Sequence, residues 1–208
     1  MLVRLRVHRI PWSTNVERVA LAAGHKGLPV EWVDHDPTDR SAIRALSGQD
    51  LVPVAEIDGE IVSDSARIVE RLEELVREPA LYPTGPSHRA GAEIFVEWFN
   101  EVWKGPPNAI EAELLKPSPD TALVEALSAR LAGWLPTFEA LLTETDYLLG
   151  DDFTVADVMA FPFLRYGLGS DPDDREPFHQ VLVEHMPLGS GFPRLRAWIE
   201  RCDAHPRA

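Results

Sequence analysis

The first part of the chain alternates between strand patterns and helix patterns. Residues 2–7 (LVRLRV) place apolar side chains at every second position, and residues 30–33 (VEWV) form a second short apolar run. Both patterns are typical of β-strands. Between them, apolar residues recur at helical spacing from Val16 to Ala23, and Gly27 marks the end of the predicted helix. The pattern therefore predicts a strand, a helix and a second strand.

A hairpin and a further helix complete this region. Residues 51–62 contain two apolar runs separated by Asp58-Gly59, a pair that favours a tight turn between antiparallel strands. Helix patterns flank the hairpin at residues 40–47 and 68–76. The predicted order over residues 1–77 is β-α-β-α-β-β-α. The first two strands are expected to be parallel, joined by a right-handed crossover.

After residue 77 the pattern becomes helical. Residues 78–87 (EPALYPTGPS) carry three prolines and a glycine, a composition typical of a linker. Apolar residues then recur at helical spacing in residues 88–104, 120–145, 154–166 and 193–202. We expect Gly133 and Pro136 to bend the second of these helices, and residues 167–192 to form a loop with one short helix. The predicted fold class is α+β, with a mixed domain at 1–77, a linker at 78–87 and an all-helical domain at 88–208.

Composition and charge narrow the possible partners. The chain has 20 Lys and Arg against 34 Asp and Glu, a formal net charge of -14. Such a field repels phosphate, so neither a nucleic acid nor an anionic membrane is an expected partner. The sequence has no signal-peptide pattern at its start and no long apolar span, and Cys202 is its one cysteine. We therefore expect a cytoplasmic protein without an intramolecular disulfide. The seven histidines show no metal-ligand spacing, so no metal is expected.

Hydroxyl and acidic residues stand at the start of two predicted helices. Ser13, Thr14 and Asn15 follow the first strand, and each of them can cap the next helix. The two hydroxyls can alternatively donate to a bound anion. Ser65 is expected to cap the helix after the hairpin, with Asp64 adding favourable negative charge. Alternatively, Ser65 and the helix N–H groups bind a carboxylate while Asp64 accepts from an ammonium. An amino-acid-like group would satisfy both.

Two further features concern backbone structure. Pro53 heads a predicted strand, where an ordinary trans bond and a cis Val52-Pro53 bond are both possible. Thr154 and Asp157 have the spacing of a capping box, and Phe153 and Val158 have that of a hydrophobic staple. The capping box and the staple indicate that these four residues stabilise the start of one helix and do not take part in catalysis.

In this order and spacing, the segments resemble the cytosolic glutathione S-transferases over almost the whole chain. Val52-Pro53 stands in the place of the cis-proline of the family's thioredoxin-like domain, and Asp64-Ser65 in the place of its acidic-Ser pair. The stretch GDDFTVADVMAFPFL resembles the family's capping-box helix, and FPRLRAWIERCDAHP resembles its final core helix.

The resemblance implies a glutathione-binding site, with glutathione as co-substrate and no metal. By spacing to Arg18-Val19, Ser13 matches the serine of the Ser-type classes, and Thr14 is the alternative. The turn contains neither a tyrosine nor a cysteine, which excludes the Tyr-type classes and disfavours the Cys-type classes. The resemblance assigns to glutathione binding Leu51, Val52, Pro53, Asp64 and Ser65. It also offers Gln49 and Arg40 as candidates for the glycine end of glutathione.

The resemblance also implies a small apolar electrophile and a homodimer. Trp12, Phe99 and Trp103 are expected to line the electrophile pocket. Two alternatives stay open. A non-catalytic binding or interaction protein of the same fold would keep Pro53 and the staple, and a transferase could use another low-molecular-weight thiol, because Asp64 is shorter than the usual glutamate.

Overall fold

The structure, a computed structural model, describes residues 3–208. Leu2, which belongs to the first predicted strand, lies outside the described residues. The chain forms two compact units. One runs up to Pro83 and includes Ala204–Ala208, and the other is Thr84–Asp203. The sequence analysis assigned 204–208 to the helical domain. These residues instead belong with the first unit, because they pack along its first helix.

The first unit contains a four-stranded mixed sheet in the order β2-β1-β3-β4. Strand β1 pairs in parallel with β2 and antiparallel with β3, and β3 is antiparallel to β4. The strands are β1 (Leu5–Arg9), β2 (Glu31–Asp34), β3 (Val54–Ile57) and β4 (Glu60–Ser63). The helices are α1 (Thr14–His25), α2 (Ser41–Ser47) and α3 (Ser65–Leu75). The β-α-β-α-β-β-α order is the thioredoxin-like order that was expected.

The sheet forms close to where the sequence pattern predicted it, although β1 runs over Leu5–Arg9 and not over residues 2–7. Leu5 and Val7 of β1 are buried, while Arg6 between them is partly exposed, as alternation requires. Asp58 and Gly59 have φ values of 51° and 93° and connect β3 to β4. Positive φ at both positions suits the twist of a two-residue hairpin, and this explains the Asp-Gly pair.

A buried ion pair joins the ends of α1 and α3. The Lys26 side chain is fully buried, and its Nζ donates to the Glu73 carboxylate and to the carbonyls of Val76 (2.6 Å) and Pro79 (3.0 Å). Glu73 also accepts from the backbone N–H of Leu81 at 3.1 Å. All three ammonium hydrogens therefore have acceptors, which offsets the cost of burying the charge.

The second unit is helical. Its helices are α4 (Pro86–Trp98), α5 (Gly105–Leu114), α6 (Thr121–Ala132), α7 (Leu135–Leu141), α8 (Val155–Leu164), α9 (Pro177–His185) and α10 (Pro193–Asp203). A π-helix, Phe99–Trp103, joins α4 to α5, and a 3₁₀ turn, Arg165–Leu168, follows α8. The predicted helix 120–145 is two helices, because the chain breaks at Gly133–Trp134. Over residues 3–208, none of the helices combines the length and the apolar character needed to cross a bilayer.

The capping box predicted at the start of α8 is present. Thr154 is the N-cap, and the Asp157 carboxylate accepts from its backbone N–H at 2.8 Å. Asp157 also accepts from the N–H of Leu148 (3.0 Å) and from the indole of Trp198 on α10 (2.8 Å). All ten residues of α8 are buried, so this capped helix is the centre of the second unit.

Candidate functional site

The site begins at the N-terminus of α1, in the turn that follows β1. Ser13 is the N-cap residue, and its Oγ accepts a long hydrogen bond of 3.4 Å from the N–H of Val16. This bond uses an oxygen lone pair and leaves the hydroxyl hydrogen available for donation. Ser13 is half-buried, whereas Thr14 is only 7% exposed. Of the two hydroxyls considered from the sequence, Ser13 is the more accessible.

The second half of the site is the N-terminus of α3. The expectation that Ser65 caps this helix is wrong: Asp64 is the cap, and its Oδ1 accepts from the N–H groups of Ala66 (2.9 Å) and Arg67 (3.2 Å). Because Ser65 is already the first helical residue, its hydroxyl is directed to other partners. Asp64 is exposed and has φ 76°. A residue other than glycine in this backbone conformation carries a strain energy of about 1–3 kcal/mol, and such residues cluster at functional sites.

A buried arginine connects the two helix starts. Arg18 is 1% exposed and Ser65 is 3% exposed. The Arg18 Nη1 donates to Ser65 Oγ at 3.1 Å and to Asn15 Oδ1 at 3.2 Å. Burial lowers the pKa of Arg18 to about 9, and the nearby Asp64 carboxylate opposes this shift. The guanidinium is therefore charged at neutral pH and places a cation beside the positive ends of two helices, which favours a bound anion.

Asn15 and Arg18 were not among the predicted site residues. The sequence analysis considered Asn15 only as a possible cap. It used Arg18 as a spacing marker and, with Arg67, as a cation that could help to hold the anionic ligand, without assigning it a partner in the protein. The spacing of Asn15 and Arg18 indicated that they could interact, because residues three positions apart lie on the same face of a helix. That spacing gave no indication that the partner would be Ser65, since the contact joins residues 47 positions apart.

The segment before β3 places Val52 and Pro53 at the N-terminal end of an interior strand of the sheet. The Val52–Pro53 peptide bond is cis. Pro53 is buried, whereas Leu51 is 74% exposed. The Gln49 side chain donates to the carbonyl of Leu51 at 2.8 Å and accepts from the N–H of the same residue. Gln49 therefore shapes this loop.

Arg40 lies immediately before α2. Its Nε donates to the carbonyl of Pro37 at 3.0 Å, within a local turn. Among residues 3–208, none of the hydrogen bonds or ion pairs joins Arg40 or Gln49 to Ser13, Asp64 or Ser65. A role for these two side chains at the glycine end of glutathione stays a prediction.

The three aromatic residues predicted to line an electrophile pocket have different environments. Trp12 directly precedes Ser13, has φ 69° and is 51% exposed. Phe99 and Trp103 have no exposed surface, and their rings stack at 4.4 Å beside Phe138 and Phe163. This placement puts Phe99 and Trp103 in the core of the second unit. It disfavours direct contact with a ligand, and their pocket role stays a prediction.

Within the described residues, His, Cys, Asp and Glu side chains nowhere gather in a group of three or more that could hold a metal ion. The polar groups around Ser13 and Asp64 are instead hydroxyl, amide, carboxylate and guanidinium groups. This set suits a small zwitterionic organic ligand.

Two domain families match the chain. Residues 7–80 match the glutathione S-transferase N-terminal domain family, and residues 102–206 match the glutathione S-transferase C-terminal domain family. Glutathione S-transferase 3 of Zea mays is 32% identical in an alignment of 166 positions, which covers 74% of this chain and 73% of that protein.

Solved structures share the fold. A β-etherase from a Sphingobium strain has a TM-score of 0.79 at 20% identity, over 99% of this chain and 96% of its own. A theta-class glutathione S-transferase of Xanthomonas axonopodis pv. citri was solved with glutathione bound. It has a TM-score of 0.72 at 22% identity, over 95% of this chain and 91% of its own. The two domain matches together cover most of the chain, and the protein therefore belongs to the glutathione S-transferase family.

Proposed function

We propose that this protein is a glutathione transferase that holds the thiol of glutathione as a thiolate at the start of α1 and transfers it to a small apolar electrophile. The observation that carries the proposal is the arrangement of the two helix starts. The Ser13 hydroxyl stands at one, the Asp64-Ser65 pair stands at the other, and Arg18 links them through Ser65.

The α3 end suits the γ-glutamyl group. The cap of α3 uses Oδ1 of Asp64, so Oδ2 is placed to accept from the ligand ammonium. The ligand carboxylate would bind the Ser65 hydroxyl and the first N–H groups of α3, with Arg67 nearby. The main chain of Val52, between Leu51 and Pro53, would pair with the cysteinyl part. Gln49 and Arg40 are our candidates for the glycine end, after a change of side-chain partners.

The energy needed to form the thiolate is within reach of these groups. A free thiol with a pKa of about 8.5 is only a few per cent ionised at pH 7. Lowering that pKa by two units requires about 2.7 kcal/mol. A hydrogen bond from Ser13 to the sulfur anion supplies about 1.5–3 kcal/mol. The positive end of α1 adds about 0.3–1 kcal/mol.

The chemical step needs no proton from Ser13. The thiolate sulfur forms a bond to the electrophilic carbon, and the leaving group departs with the electron pair of the bond that breaks. In an addition reaction, that pair instead moves onto the acceptor and takes up a proton from water. Ser13 keeps its hydrogen throughout and stabilises the sulfur anion before the attack.

We further propose that the protein acts as a homodimer in the cytoplasm, and that Trp12 contacts the electrophile. The exposure of Trp12 next to Ser13 supports its role. Our candidates for the dimer interface are two large apolar side chains, Leu51 (74% exposed) and Ile94 on α4 (66% exposed). Burial of an exposed apolar side chain in an interface lowers the free energy.

Calorimetric titration with glutathione tests the proposed function. We expect saturable binding of glutathione and at least tenfold weaker binding of cysteinylglycine, which lacks the γ-glutamyl group. Asp64→Asn should bring the two affinities closer together, whereas Asp58→Asn, an exposed acidic residue in the β3–β4 turn, should not. Absence of glutathione binding up to millimolar concentration would overturn the proposal, and tight binding of a different small thiol would replace glutathione with that thiol.

A further inference from the structure

The last residues of the chain lie along α1, the helix that begins at Ser13. We call residues 204–208 the strap. The N–H of Ala208 donates to the carbonyl of Ala20 at 3.1 Å, and the indole of Trp32 on β2 donates to the carbonyl of Ala208 at 3.1 Å. At the other end of α1, the rings of His25 and His205 lie 6.2 Å apart. The strap therefore follows α1 from its C-terminal end toward its N-terminal half.

Gly24 allows the strap to approach this closely. A Cβ atom at this position would lie 2.2 Å from the carbonyl oxygen of Pro206 and 2.8 Å from the Cα of Arg207. Both are backbone atoms, so rotation of a side chain could not relieve the clash. Glycine is unfavourable in the middle of a helix, by roughly 1 kcal/mol relative to alanine. Its presence in α1 is explained by the contact with the strap.

The strap also brings a positive charge to the first turn of α1. Arg207 Nε pairs with Glu17 Oε1 at 2.9 Å, and the Arg207 Nη1 donates to the carbonyl of His205 at 2.8 Å. Glu17 lies one turn from the cap, and its N–H donates to the carbonyl of Ser13 at 3.0 Å. Both side chains of the ion pair are about three-quarters buried, which reduces screening by water.

We propose that the strap is a positioning element for Ser13 and that Arg207 is a positioning residue for the transferase reaction. This inference rests on the proposed function, which places a sulfur anion at the start of α1. A carboxylate at Glu17 would oppose that anion, and Arg207 cancels the opposing charge. The backbone bonds of the strap at the same time hold α1 in place, so that the Ser13 hydroxyl keeps its direction.

Variants that remove one charge at a time distinguish an electrostatic role of Arg207 from a purely structural one. Arg207→Gln leaves the Glu17 carboxylate uncompensated and should raise the apparent pKa of the bound thiol by about 0.3–0.5 pH units, the effect of one charge at roughly 10 Å in a well-solvated setting. Glu17→Gln should lower it by a similar amount. In the double variant, the apparent pKa of the bound thiol should be close to that of the unmodified protein. Arg207→Lys keeps the positive charge and should leave this pKa unchanged. A structural role would instead make both single variants change in the same direction.

The measurement is the pH profile of kcat/KM for an aryl halide at saturating glutathione, which reports the thiol of the enzyme–glutathione complex. Arg71→Gln is the matched control: it removes one positive charge from the same unit, on α3, where Arg71 pairs with Glu60 and Glu74. We expect Arg71→Gln to move the profile by less than 0.1 pH units, a fraction of the expected Arg207 effect. Equal profiles for Arg207→Gln and Arg71→Gln would overturn the electrostatic role of Arg207.

A second measurement needs no ligand. In the full chain, Gly24→Ala should displace the strap and speed exchange of the hydrogen-bonded amides of α1, from Glu17 to Ala20, by roughly tenfold, although alanine favours a helix. Gly91→Ala on α4, where a Cβ meets no atom within 4 Å, is the control and should not speed exchange. Unchanged exchange in Gly24→Ala would overturn the fastening role. If the unmodified protein shows no glutathione turnover, the proposed function fails, while exchange still decides whether the strap fastens α1.

Discussion

The indole Nε1 of Trp198 donates to the carboxylate of Asp157 at 2.8 Å, with both side chains completely buried. The bond ties α10 to the capping box of α8. Asp157 thereby satisfies donors from the loop before α8, from the cap itself and from Trp198, which lies 41 positions later in the chain.

Removal of this carboxylate should therefore destabilise the second unit strongly. Asp157→Ala leaves several buried donors without an acceptor, and we expect a loss of about 3–5 kcal/mol in the free energy of unfolding. Trp198→Phe removes one donor and should cost about 1–2 kcal/mol from the lost hydrogen bond. Urea denaturation gives both values. Asp152→Ala, an exposed neighbour in the same loop, should stay within about 0.5 kcal/mol of the unmodified protein, and a similarly small loss for Asp157→Ala would contradict the central role of this carboxylate.

Ser13→Ala tests which hydroxyl faces the sulfur. Loss of a charge-assisted hydrogen bond of about 1.5–3 kcal/mol should lower kcat/KM roughly 10- to 150-fold and raise the pKa of the bound thiol. The affinity for glutathione should change much less. Thr14→Val keeps the shape of its buried neighbour and should leave the rate within about threefold. If instead Thr14→Val is the slow variant, Thr14 carries the role.

The Lys26–Glu73 pair should be a stability determinant of the first unit. Lys26→Met leaves the Glu73 carboxylate almost buried and without its cation, which should cost about 3–5 kcal/mol. Glu74→Gln removes an exposed charge that pairs with Arg71 and should cost less than about 1 kcal/mol. Chemical denaturation monitored by the fluorescence of Trp32, with the other tryptophans replaced, reports on this unit. Equal losses for the two variants would show that the buried pair contributes no more than a surface pair.

Buried histidines should make the protein less stable in mild acid. Burial lowers the pKa of His179, although its hydrogen bond with Asp174 opposes this, and burial also lowers the pKa values of His25 and His205. Below about pH 6.5 the unfolded chain binds protons at these positions before the folded protein does. The free energy of unfolding should then fall with decreasing pH, by at most about 1.4 kcal/mol per pH unit for each histidine.

Denaturation between pH 7.5 and 5.5 measures this slope. His179→Gln should make it shallower, whereas His88→Gln, at an exposed position near the start of α4, should leave it unchanged. A slope that His179→Gln does not alter would assign the acid sensitivity to other groups.

Ile94 tests the proposed homodimer. Ile94→Glu places a charge on the exposed apolar position of α4 and should raise the Kd of the dimer by at least roughly tenfold, as for truncation at an interface hot spot. Leu123→Glu is the matched control, on α6 and 43% exposed. Sedimentation velocity over a concentration series reads the mass directly. A dimer disrupted by Leu123→Glu alone would move the interface to α6.

The features predicted correctly from the sequence have local causes. Asp58-Gly59 defines a hairpin through the backbone preferences of two adjacent residues, and Thr154 and Asp157 define a helix start three positions apart. A glycine followed by two prolines, at residues 105–107, is a pattern typical of a break between helices. The structure shows that α5 begins there, because proline is compatible with the first turn of a helix.

The features that were missed depend on contacts between distant parts of the chain. Arg18 meets Ser65 across 47 positions, and Arg207 meets Glu17 across 190, and neither contact leaves a periodic signal. Phe99 and Trp103 illustrate a different limit. An aromatic residue near a helix break has the same sequence appearance whether it lines a ligand site or fills a core, and the burial that distinguishes them depends on the whole unit.

The position of residues 204–208 also bears on synthesis at the ribosome. These residues follow the entire helical unit in the chain, yet they contact α1 and Trp32 of β2, which are translated among the first elements. A nascent chain that has emerged only as far as Pro83 can pair its strands but lacks the segment that packs against Gly24. Biogenesis of the α/β half would thus finish only after translation of α10, and ribosome-bound intermediates should carry an α1 more open to proteases than that of the released protein.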